Sequence, residues 1–130
     1  MQGSAARTAY VGNAIATASP ARLLVMLCDR LVLDVERAAR AQIDGDRVET
    51  HNQLVHAQAI VTELRSSLRP EGWRGGAELA SLYAYLDRRL VEANTHNDRR
   101  ATAEALGLCR AIRDTWREAA MRAAGLAAGA

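Results

Sequence analysis

Three histidines and two cysteines are the first residues to test for chemistry in this 130-residue chain. His51 and His56 lie five residues apart, which on a helix separates them by roughly 140°. Two zinc ligands on one helix need the i, i+4 spacing that stacks them on one face. None of Glu49, Glu63, Glu92 or Glu104 has a histidine three residues later, so the Glu-x-x-His pairs that line di-metal helical bundles are absent. Ser66-Ser67 has no nearby base in sequence to activate a hydroxyl. Gly75-Gly76 does not follow a strand and is not part of a G-x-G-x-x-G phosphate loop. Cys28 and Cys109 sit inside helical patterns and read as free buried thiols of a reducing compartment. The expectation is a protein that is no enzyme, with no metal site and no cofactor.

What the chain offers instead is apolar surface. Leu23 to Cys28 is a run of six apolar residues directly behind a helix-start signal, Ser19 as N-cap and Pro20 at the first helical position. At roughly 100° per residue such a run passes through every face of a helix. A helix packed on one side uses only a stripe. The stripe here is Leu24, Leu27/Cys28, Leu31, Val35 and Ala38, and Val25, Met26, Val32 and Leu33 lie off it as a surplus. On this division Leu31→Asp should unfold the protein and Val32→Asp should not.

The elements that position these residues follow from periodicity. The first helix runs over about 20–43 and stops at Asp44-Gly45-Asp46, a turn signal. The second covers about 47–69, with Asp46 and Glu49 as a capping box. Leu54, Ala57, Val61, Leu64 and Leu68 form its seam, and Val48, Val55 and Ala59 a neighbouring stripe. The loop Glu71 to Gly76 leads into a third helix over about 77–95, with Leu79, Leu82, Tyr83, Leu86, Leu90 and Ala93 on one side. Asn97-Asp98 caps a fourth over about 98–124, where Ala105, Leu106, Cys109, Ile112, Trp116 and Ala120 face one way. No period-two strand pattern is present. Four helices with short connections predict an all-α, antiparallel up-down-up-down four-helix bundle over 19–124. It is preceded by a short N-terminal arm, 1–18, and followed by a frayed tail, 125–130. Trp116 reads as core, and Trp73, in the long loop, as partly exposed.

Composition narrows the partners. The 17 basic and 15 acidic residues leave a net charge of +2, which gives no strong drive toward nucleic acid or an anionic membrane. No apolar run approaches the roughly 18 residues that cross a bilayer, and no signal peptide precedes the bundle; a soluble, cytoplasmic protein is expected. The run Asp87-Arg88-Arg89 with Glu92 fits either a solvated face with intrahelical ion pairs or a polar contact with a partner.

Five segments are distinctive as a set. Tyr10, Ile15 and Thr17-Ala18-Ser19-Pro20 stand at the spacing Y-x4-[IV]-x-T-A-S-P, followed by LLVMLCD at 23–29. Then come HAQAIVTEL at 56–64, LYAYLDRRLVEAN at 82–94, and Leu108 with RDTWREA at 113–119. In this order and spacing, over about residues 10–120, the chain resembles the FliS family of flagellin-specific export chaperones. The resemblance implies a four-helix antiparallel bundle. It also implies a cytoplasmic chaperone that binds the disordered C-terminal segment of flagellin, blocks premature polymerisation and helps deliver flagellin to the export gate of the flagellar type III apparatus.

The resemblance further implies that the N-terminal arm covers part of the apolar surface in the free protein, anchored by Tyr10 and Ile15. With the surplus residues, the expected partner-binding set is Tyr10, Ile15, Val25, Met26, Cys28, Val32, Leu33, Val55, Ala59 and Tyr85. Two features depart from the family pattern. Cys28 stands where a tyrosine is common, and Ala21-Arg22 where acidic residues often follow Ser-Pro. The second change forgoes about 0.5 kcal/mol of favourable charge at a helix N-terminus. Two other readings use the same surplus: a helical adaptor for a different partner, or a homo-oligomer seam. A monomer or weak homodimer is expected.

Overall fold

The structure, a computed structural model, describes residues 19–72 and 74–129, and side chains up to 125. The predicted arm, with Tyr10 and Ile15, and Trp73 therefore lie outside the described residues.

Four helices follow in order: α1 (Pro20–Ile43), α2 (Arg47–Ser67), α3 (Gly76–Thr95) and α4 (Arg99–Gly129). Ser19 caps α1 as expected, its hydroxyl accepting from the Arg22 N–H at 3.2 Å. Asp46 caps α2, accepting from the Glu49 N–H at 3.0 Å. The capping box is only half built: Glu49 accepts from Gln53 at 2.6 Å instead of reaching back, and the Asp46 N–H is satisfied by the Ala41 carbonyl at 2.9 Å. Asp98 caps α4 through the N–H groups of Arg100 and Ala101. α3 has no side-chain cap; it begins from Gly75 at φ 89°, a left-handed conformation natural to glycine. The next residue must also be glycine, because a Cβ at Gly76 would stand 2.5 Å from the Pro70 carbonyl oxygen.

Each helix packs on its neighbour in sequence, and α1 also packs on α4, closing a four-membered ring. With connections this short, consecutive helices run antiparallel. Leu31, Val35, Leu54, Val61, Leu64, Leu86 and Leu90 fill the centre. Tyr83 is buried among them and its hydroxyl accepts from the Trp116 indole N–H at 3.0 Å. Burial pushes the Tyr83 phenol up, and the bond from Trp116 opposes that shift. Cys28 and Cys109 are free and buried, and burial raises both thiols to about 12.

Two expectations need correction. α4 continues to Gly129, five residues past the predicted end, because alanine, the best helix former, dominates its last turns and outweighs Gly125. Val32, expected in the surplus, is only 3% exposed and belongs to the core. A single stripe presumes one neighbour, whereas α1 packs on two, so its buried arc is far wider.

Candidate interaction surface

The eight predicted partner-binding residues that lie among the described residues divide by depth and by face. Cys28, like Val32, is sealed in the core, so neither side chain is accessible at the surface. Val25 and Met26 are half-buried, Ala59 is exposed, and Leu33, Val55 and Tyr85 are among the exposed large apolar residues.

Four of these come together. Met26 and Leu33 are seven residues apart and share one face of α1; Val48, Val55 and Ala59 share one face of α2 by the same spacing rule. The contact between Asp34 and His56 fixes the level of the antiparallel pair. It places Leu33 between the levels of Val55 and Ala59. The result is a row of apolar residues along the outer faces of α1 and α2, interspersed with exposed Arg30, Arg37, Asn52 and Glu63 and extended toward the α2 start by Val48, which is 72% exposed.

The other two diverge. On α1, Asp29 and Glu36 reach across to Arg117 and Arg110 of α4 at 2.8 and 3.2 Å. Val25 lies on that side and lines an open groove of about 810 Å³ with Pro20, Ala120 and Met121, rimmed by Arg22 and Arg117. Tyr85 faces α4 from α3. Its hydroxyl donates to Glu104, a bond that raises the phenol, and Arg88 lies 5.9 Å from its ring centroid. Around it the predicted charge run is spent within the molecule: Asp87 meets Arg65 at 3.6 Å, and Arg89 pairs with Glu92 and with Glu104.

Sequence reasoning placed Val48 on the neighbouring stripe of α2 but left it out of the partner-binding set, and it did not single out several other exposed apolar residues. Ile43, Val48, Val91 and Met121 are exposed. Each lies away from its helix's core stripe, which is the signal that finds them. A polar group was missed as well. Asp34 is fully buried between α1 and α2, where Arg30 Nε donates to it at 3.0 Å and His56 Nδ1 donates to its other oxygen. A carboxylate between Leu31 and Ala38 on the core stripe was the legible clue, since a buried charge must find partners.

Among the described residues no group of three or more His, Cys, Asp or Glu is placed to hold a metal, and no helix is long and apolar enough to cross a membrane. Among the described residues the exposed features are apolar side chains and paired charges.

Comparison with known proteins agrees with that character. The sequence model of the family described as "Flagellar protein FliS" matches residues 2–123. The chain is 37% identical to the flagellar secretion chaperone FliS of Bacillus subtilis (strain 168) over 86% of its length and 84% of that protein's. It is 34% identical to the flagellar secretion chaperone FliS of Salmonella typhimurium over 87% of its own length and 85% of the relative's. It is also 34% identical to the protein of that name in Escherichia coli (strain K12), over 83% and 81%. A family model spanning nearly the whole chain, with these relatives beside it, shows that the chain belongs to the FliS family, a family of chaperones and not of enzymes.

Proposed function

We propose that this protein is a cytoplasmic flagellar export chaperone that binds the C-terminal segment of flagellin, prevents its premature polymerisation and assists its delivery to the flagellar export gate. The observation that carries the reading is the row of accessible apolar residues Met26, Leu33, Val55 and Ala59 on the outer faces of α1 and α2. Soluble monomers seldom leave such rows without a use.

The physics suits a disordered client. A segment that folds on binding loses conformational entropy, and regains free energy by burying an apolar helix face in a groove between helices. Val25 and its groove on the α4 side supply a second apolar stretch, so a client longer than one helix has a path around α1. Cys28 and Val32 support these surfaces from below. Tyr10 and Ile15 are proposed as the anchors by which the arm covers part of the row until a client displaces it.

The test is a filament-growth assay. Flagellin monomers are seeded under polymerising conditions with increasing amounts of this protein. Suppression of growth, complete near one chaperone per flagellin, is the expected result. Undiminished growth at excess chaperone contradicts the reading.

A further inference from the structure

Resting on that client-binding role, we infer that a cavity at the α1 start receives one large apolar side chain of the client, together with a backbone carbonyl beside it that accepts from the Tyr83 hydroxyl. The cavity holds about 210 Å³ and lies where α1 begins and α2 ends. Leu24, Leu64, Leu68, Tyr83 and Trp116 line it, and the exposed Ser67 and Arg69 stand at its mouth. An apolar cavity of roughly 150 Å³ takes benzene, so this one has room for a large side chain.

What the occupant must carry follows from one proton. Tyr83 is 1% exposed, and its hydroxyl oxygen accepts from the Trp116 indole N–H at 3.0 Å. A hydroxyl is also a donor, and its proton has no acceptor among the described residues. A buried donor left unpaired is costly. The donors at the mouth are engaged elsewhere: Ser67 donates to the Leu64 carbonyl at 3.2 Å, and Arg69 to the Ser66 and Leu68 carbonyls at 3.0 and 3.4 Å. Between leucines and an indole whose N–H is already bonded, a water on Tyr83 would lack most of the roughly three partners that buried waters keep. An occupant apolar in bulk that brings one acceptor satisfies the walls and the proton together. A peptide does this with a side chain and its neighbouring carbonyl.

The place of the cavity says which part of the client this is. Leu24, Val25 and Met26 are consecutive on α1 and belong to three surfaces: Leu24 to the cavity, Val25 to the groove toward α4, and Met26 to the row shared with α2. A client that uses both the row and the groove passes the cavity between them. Carbonyls inside a helix are taken by its own N–H groups, whereas those of its last turn are free. The anchored residue therefore belongs to the last turn of a client helix or to the link that follows it.

The test compares two probes of nearly one shape: acetophenone, whose carbonyl accepts, and ethylbenzene, which has no acceptor. Each is titrated into the full-length protein while the indole N–H resonance of Trp116 is followed, assigned as the one that survives Trp73→Phe. Saturable shifts are expected, with acetophenone bound about fivefold more tightly, as one ordinary hydrogen bond gives. In Tyr83→Phe, checked for native helicity by circular dichroism, the two probes should bind alike. The C-terminal segment of flagellin from the same organism should then expel acetophenone. No shift with either probe, or equal affinity of both for the unmodified protein, overturns the inference without any variant having to fold. A segment that binds and leaves acetophenone in place also overturns it, with the client-binding role intact. A folded protein that does not bind the segment overturns both.

Discussion

Asp34 and His56 are bonded partners of opposite exposure: the carboxylate is sealed between α1 and α2, and the imidazole that donates to it stands half in solvent. Taking a charge out of water is costly, and removing one partner exposes that cost. Because Arg30 still holds one oxygen, His56→Leu should lose less than a bare buried charge would, about 1–3 kcal/mol. Asp34→Leu combined with His56→Leu should recover most of the loss, since it removes the buried carboxylate together with the partner it needs. Urea unfolding of the single and double variants checks both.

Three adjacent residues of α1 should respond differently to the same change. Leu31→Asp and Val32→Asp each place an unpaired carboxylate in the core and should unfold the protein. Leu33→Asp, at a position 36% exposed, should keep native helicity and melt within a few degrees of the parent. Circular dichroism melts decide it. The wheel drawn from the sequence alone expects Val32→Asp to fold.

That difference shows where the sequence was legible. The bounds of α1 were readable because Ser19-Pro20 and Asp44-Gly45 are strong local stops whatever the tertiary structure. Which side of α1 is buried was not, because the answer depends on how many helices touch it. Val25 and Met26 stayed accessible while Val32, one full turn and more along, was covered by the second neighbour. The Asp34–His56 pair needed the register of α1 against α2, which no local pattern encodes. The end of α4 was set too early because residues 125–130 read as a weakly specified tail, although alanine-rich sequence favours continuing the helix.

Gly76→Ala should destabilise despite alanine's better helix propensity. The new methyl would meet the Pro70 carbonyl oxygen at 2.5 Å, and backbone cannot swing aside as a side chain can. A loss of about 1–3 kcal/mol is expected from this overpacking, against a slight gain at Gly107, where a Cβ meets nothing. Thermal melts of the two alanine variants should move in opposite directions.

The buried thiols set an alkaline limit. Folding holds Cys28 and Cys109 near 12, while unfolded thiols ionise near 8.5. The folded state therefore binds more protons between those values. Stability from this source is full below about pH 8.5 and falls as pH rises, by about 1.4 kcal/mol per pH unit for each thiol. Urea midpoints at pH 8 and pH 10 should drop for the parent and much less for Cys28→Ala/Cys109→Ala.

The most direct test of the central claim is calorimetric titration of the full-length protein, and of its Leu33→Asp and Val55→Asp variants, with the C-terminal segment of flagellin from the same organism. The account predicts saturable one-to-one binding with a large negative heat-capacity change, weakened at least tenfold in both variants while their helicity and melting stay native. No binding by the folded parent protein, or undiminished binding by both variants, would contradict it.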